Sequence, residues 1–184
     1  QVMQVTSAGE AALGNGGIFS RPPMEIFPVT GGYAGSVNPF ATFSSPFGVF
    51  FIDSLQGKVF ILGENFEELD NGMGDDLIDI LKYASANRSS AMSTYDYVHE
   101  RWILTTGDKT ISYAPKLKSW TSYHTYTPRL MQSVNQKTLI GVNGKIGLLN
   151  QGAKGNYFMA PETAEDSTIT IISNDNPLVS KSFD

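Results

Sequence analysis

Apolar positions in this chain fall in short runs, not in long helical stripes. Phe47-Gly48-Val49-Phe50-Phe51-Ile52 and Lys58-Val59-Phe60-Ile61-Leu62 flank the polar segment Asp53-Ser54-Leu55-Gln56-Gly57. β-Branched and aromatic residues suit a pleated, half-buried surface, and Gly57 can take the positive φ of a tight connection, so 47–62 predicts a β-hairpin. The unit recurs. Trp102–Thr106 and Thr110–Tyr113 join through Gly107-Asp108, and 138–149 turns at Asn143-Gly144, a type I′ candidate. Strand, polar turn with glycine, strand over 47–62, 101–113 and 138–149 suggests blade-like repeats of uneven spacing. Phe40–Phe43 precedes the first hairpin through the turn Ser44-Ser45-Pro46. Phe66–Leu69 follows it after Gly63-Glu64-Asn65, giving four strands in series, the unit of a propeller blade. Trp120–Tyr126 extends the second hairpin beyond a turn at 114–119. The fold class expected is all-β: antiparallel meanders resembling partial β-propeller blades, with one short helix near 75–83.

That helix is read from Leu77, Ile80 and Leu81, which share one face at i, i+3 and i+4. Gly74 or Asp75 is positioned to cap it, and the acids of its first turn complement the helix dipole. Ala84–Ser93, small and polar, reads as a loop. Near the start, Val2–Thr6 can form a short strand. Pro22, Pro23 and Pro28 exclude a regular helix and allow only an extended edge segment. Thr30–Ser36 is a glycine-rich turn, and Pro39 holds Asn38 extended. After the turn-rich stretch 150–166, the β-branched run Thr168–Ile172 predicts a last strand. Residues 1–30 are expected to be an arm or linker, and 31–184 a β-rich blade-like domain. Gln1 in place of an initiator Met is expected to mark a processed product or part of a longer chain.

Composition supports short strands and excludes several functions. Of 184 residues, 41% are apolar and only 17% charged, with 18 glycines, 11 Phe and 8 Tyr to fill turns and a β core. The formal charge is −5, and no basic patch of the kind nucleic-acid binding requires stands out. Lysines between 109 and 118 alternate with strand residues and read as edge or turn decoration. The absence of cysteine excludes disulfides and thiolate metal sites. No apolar run is long enough for a membrane-spanning helix, and no signal-peptide pattern opens the chain.

Candidate chemistry is sparse. Gly14-Asn15-Gly16-Gly17 lacks the Lys-Ser/Thr ending of a phosphate loop. His99 and His124 neighbour no nucleophile elbow, and two histidines without a third ligand do not make a zinc site. Asp70, Asn71, Asp75, Asp76 and Asp79 cluster near Gly72 and Gly74, but without the ligand alternation of a calcium loop; capping acids explain them as well. Glu67, Glu68, Asp96, Glu100, Glu162 and Asp166 are the carboxylates from which a glycosidase pair would have to come. Trp102 and Trp120 have sugar-stacking chemistry, though Trp120 at a strand start reads as core. No catalytic, cofactor-binding or metal-ligating residue is assigned, and no cofactor is expected.

Several phrases taken in order carry a resemblance: Gly32-Tyr33-Ala34-Gly35-Ser36; Gly48–Asp53 with Gly57-Lys58-Val59-Phe60; Gly72-Met73; Lys109–Tyr113 with Leu117–Tyr123; and Ser173–Pro177 with Lys181-Ser182-Phe183-Asp184. Over roughly residues 30–184 they resemble the large tail, or muzzle-type, structural proteins of crAss-like bacteriophages, which contain propeller-like β regions. The resemblance implies a virion tail protein made in the bacterial host cytoplasm, acting by subunit packing and not as an enzyme. Implied partners are other tail proteins or the rest of its own polypeptide, with oligomerisation expected because incomplete blades expose strand edges. The alternatives are a carbohydrate-binding, receptor-contacting module and, behind it, a glycoside hydrolase on a β scaffold.

Overall fold

The structure, a computed structural model, describes residues 34–151 in full, together with the strand backbones of 2–4, 24–27, 156–157 and 160–164. Two compact units divide the chain, Gln1–Asn150 and Gln151–Asp184. In the second, β14 (Asn156–Tyr157) pairs antiparallel with β15 (Ala160–Ala164). The strand expected at Thr168–Ile172 and the turn at Gly14–Gly17 lie outside the described residues.

In the first unit, β1 (Val2–Gln4) pairs antiparallel with β2 (Met24–Phe27). Pro22, Pro23 and Pro28, on which the extended-edge expectation rests, lie outside the described residues. Three larger sheets follow, each an up-and-down meander. The first sheet runs β3 (Phe43–Ser45), β4 (Gly48–Asp53), β5 (Lys58–Leu62), β6 (Phe66–Glu68). The second runs β7 (Met92–Asp96), β8 (Arg101–Thr105), β9 (Thr110–Ala114), β10 (Ser119–His124). The third has β11 (Leu130–Val134), β12 (Lys137–Val142) and β13 (Lys145–Leu148). Every named ladder among them is antiparallel, so the all-β expectation holds.

Some boundaries differ from expectation. The strand placed at Phe40–Phe43 begins only at Phe43, while Phe40 makes an isolated parallel bridge to Met92. Pro46-Phe47 forms the turn, because Ser45 still pairs with Gly48. The helix α1 spans Gly74–Ala86, nearly a turn beyond the expected end, and neither Gly74 nor Asp75 caps it: Met73 is the N-cap and makes no side-chain cap bond. Met92 and Ser93, read as loop, belong to β7. The strand β11 has no counterpart among the expected elements.

Alternation along the strands builds the core. Phe50 and Ile52 of β4, Val59 of β5, and Trp102, Leu104, Ile111 and Tyr113 of the second sheet share one buried cluster with Leu77, Ile80, Leu81 and Ala84 of α1. Phe51, Phe60 and Phe66 stack on the other face of the first sheet, with centroids 5.0–6.1 Å apart. Every residue of β9 and all but the first of β8 are buried, so the inner strands of the second sheet are enclosed on both faces. Its edge strand β7 lies beside β3 and also beside β11 and β12.

Candidate functional site

The seam between the first two sheets is aromatic. The Phe50 and Trp102 rings stack at 4.9 Å and 12°, Tyr113 meets Phe50 edge-on at 6.3 Å, and Trp120 meets Tyr113 edge-on at 5.3 Å. Trp120 is thus a seam residue that also makes one polar contact, donating from Nε1 to the Leu69 carbonyl at 3.0 Å. Asn71 Nδ2 donates to the Tyr113 hydroxyl at 3.1 Å. Both bonds tie the exit of the first sheet to the second, and Asn71 reaches its position with a positive φ of 44°.

One end of the seam opens into a cleft of about 370 Å³. Phe47, Ile61 and Tyr113 supply apolar wall; Glu64, Asn65, Glu67 and Lys118 supply polar rim. Lys118 Nζ lies 3.5 Å from Glu67, and both side chains are largely exposed.

Three connections share one construction: a strand, four residues, and a left-handed residue in the fourth position. They are Ser54–Gly57, Tyr97–Glu100 and Pro115–Lys118, with φ of 70° at Gly57, 51° at Glu100 and 48° at Lys118. In two of them an aspartate closes the strand and accepts from the turn. Asp53 Oδ1 takes the Leu55 and Gln56 N–H groups at 3.2 and 3.1 Å, and its Oδ2 takes Gln56 Nε2 at 3.0 Å. Asp96 Oδ1 takes the Val98 and His99 N–H groups at 3.0 and 3.3 Å and Asn150 Nδ2 at 2.7 Å. Its Oδ2 meets His99 Nδ1 at 2.9 Å and Arg101 Nε at 3.1 Å. Burial alone pushes the Asp96 carboxyl up, but the His99 hydrogen bond and the Arg101 charge outweigh it and hold it below the usual carboxylate range.

The remaining candidates disperse. His99 belongs to the Asp96 turn. His124, at the end of β10, has its Nε2 3.1 Å from Ser112 Oγ, and burial pushes its pKa down to about 4, so it is neutral at pH 7. Ser112 is wholly buried and its Oγ also lies 3.1 Å from Thr121 Oγ1, so the pair forms part of a packed hydroxyl chain. Glu68 is paired with Lys58 at 2.8 Å and Glu100 with Lys116 at 2.5 Å. Glu162 lies on β15 and Asp166 outside the described residues. Among the described residues no group of three His, Asp or Glu is placed to hold a metal ion, Asp70, Asp75, Asp76 and Asp79 included. The lysines at 109, 116 and 118 decorate turns; β9 between them is an interior strand and not an edge.

Two structural nodes carry no signal in the sequence. Asn38 is 1% exposed; its Nδ2 donates to the carbonyls of Ala84 (2.9 Å) and Arg88 (3.0 Å), and its Oδ1 accepts from Ser54 Oγ at 2.6 Å. It serves the open carbonyls at the end of α1 and ties them to the β4–β5 turn. The outer edge of β7 is the second node. The Ser93 N–H donates to the Phe40 carbonyl, and the Tyr95 carbonyl accepts from Ser133 Oγ (2.9 Å) and Thr138 Oγ1 (3.1 Å) of the third sheet. Neighbouring elements thereby satisfy an edge that would otherwise be open.

Fold and site together define a β scaffold of adjoining antiparallel meanders, with its polar chemistry spent on turns, edges and ion pairs. The model of the Crassvirus muzzle protein family matches residues 2–144, and the chain belongs to that family, one of phage virion structural proteins. The match begins at residue 2, so it takes in the segment read as an arm, and ends before Ser173–Asp184, whose phrases contribute nothing to it. No curated protein matches the chain. Among the described residues, no helix is long and apolar enough to cross a membrane.

Proposed function

We propose that the chain is a scaffold segment of the virion tail, and that its meanders act as propeller-like blades working through packing and not through catalysis. The observation that carries this is the two-sided burial of the inner strands of the second sheet, β8 and β9. Tyr95, Trp102, Leu104, Ile111 and Tyr113 pack in the core cluster shared with the first sheet, while Thr94, in register with buried Ile103 on the other face, bonds Ser133 Oγ of the third sheet through its Oγ1 at 2.9 Å. The first strands of successive sheets lie side by side, β3 with β7 and β7 with β11, as blades around a common axis would have them. Partners are neighbouring tail subunits or further parts of the same polypeptide. Immunogold labelling of purified virions with an antibody against this chain tests the assignment: label at the distal tail is expected, and label confined to the capsid overturns it.

The cleft favours a second reading, a carbohydrate-contacting face. Aromatic and aliphatic walls with carboxylate and amide groups at the rim suit a sugar ring. Saturation-transfer NMR with a panel of neutral and acidic oligosaccharides should then show contact that Phe47→Ala removes; no transfer to any sugar sinks this reading.

A further inference from the structure

The register of the third sheet sorts its residues onto two faces. Leu130, Gly141 and Ile146 align across the strands, as do Gln132, Leu139 and Leu148, then Val134 and Lys137. The alternate residues Met131, Thr138, Ile140 and Val142 are buried. In the first set only Gly141 is buried: Ile146 is 68% exposed, Val134 48% and Leu130 42%, and Leu139 and Leu148 are half-buried. A face of five aliphatic side chains interrupted by one glutamine and one lysine is unusual on solvent and marks a contact surface. Lys137 is the one charged residue of the first set, and it is exposed.

Charge is segregated along the chain in a way that names an occupant. Residues 34–86, the first sheet and α1, hold eight acids against two lysines; residues 87–150 hold eight Lys and Arg against three acids. On α1, Asp75, Asp76 and Asp79 are exposed around Ile78, itself 53% exposed. The β4–β5 turn comes close beside Ile78, for a Cβ on Gly57 would sit 2.8 Å from Ile78 Cγ1, and that turn presents Leu55 at 66% exposure. An apolar knob ringed by acids therefore exists on the same molecule as an apolar sheet bearing Lys137.

We infer that the outer face of the third sheet docks the α1 face of a second copy of this chain, head to tail. The inference rests on the packing role proposed above and assigns it a surface. Two different patches meeting give a heterologous contact, which closes into a ring or propagates as a filament. A symmetric contact between two third sheets would bring together two faces whose charge is positive on both sides, with no acid in either set to pair Lys137.

Sedimentation velocity of the full 184-residue chain over a concentration and salt series tests it. Self-association is expected, weakening as salt rises. Lys137→Glu and Asp79→Lys should each raise the dissociation constant about ten-fold, and the double charge swap should recover most of the loss. Both sites are exposed, and far-UV circular dichroism confirms that the variants fold. Asp79→Lys without effect while Lys137→Glu weakens association overturns the α1 occupant. Association indifferent to both variants overturns the surface and leaves the packing role standing. A chain that stays monomeric at every concentration overturns the self-docking, while the packing role stands or falls with the labelling of virions.

Discussion

Two residues show how much of the fold hangs on single polar groups. Replacing Asn38 with Leu leaves Ser54 Oγ and the carbonyls of Ala84 and Arg88 without their partner in a buried place. The expected cost is about 3 kcal/mol, read as a fall in the urea midpoint at unchanged slope. His124 controls a pH dependence. Its pKa falls from the ordinary 6.5 to about 4 because burial disfavours the charged form. The unfolded chain therefore takes up this proton first as pH falls, and stability drops from about pH 6.5 down to about pH 4, then no further from this group. With the ring only partly shielded, the drop is about 2 kcal/mol. Thermal melts of His124→Gln against wild type over that range check it: the variant should lose this part of the slope.

At the scale of elements, the four-residue turns set a paired test. Gly57 and Glu100 occupy the same position in two of them, with φ of 70° and 51°. A side chain at 57 meets both the left-handed backbone and Ile78, so Gly57→Ala should cost about 2 kcal/mol and loosen α1, seen as faster amide exchange at Leu77–Leu81. Glu100→Gly relieves a strained non-glycine residue and gives up only the exposed Lys116 pair. It should be neutral or stabilising by up to about 1 kcal/mol in the same melts. The three hairpins are legible in the sequence because β-branched and aromatic runs around Gly57, Gly107 and Asn143-Gly144 are local signals. Asn143 and Gly144 both have positive φ, as a type I′ turn requires. β11 is not legible. Leu130-Met131-Gln132-Ser133-Val134 has little intrinsic strand preference, and β12 and β7 supply its partners.

In the first unit as a whole, one aromatic seam serves two sheets and a helix, so these should unfold together. Trp102, fully buried against Phe50 and near Trp120, is the centre. Trp102→Leu is expected to cost about 3 kcal/mol and to lower amide protection in β5 and β9 alike. Protection lost in β9 alone would mean that the first two sheets open independently. The candidate site follows the same logic. The sequence shows its acids and histidines but not their partners, since Asp96 reaches Asn150, 54 positions away, and Ser112 reaches His124 only through the strand register.

Residue order alone determined the all-β class, the recurring ribbons with their turns, the place of α1 and the family, because each rests on neighbours a few positions apart or on a run of phrases in sequence. Tertiary structure decided which faces are closed. Asn38, Asp96 and the edge of β7 acquire their roles from groups that only the packed chain brings within hydrogen-bond reach. The outer face of the third sheet stands out only once the alternate residues are seen to be buried. Burial and long-range polar pairing are properties of the enclosing surface, and no local pattern of residues encodes them.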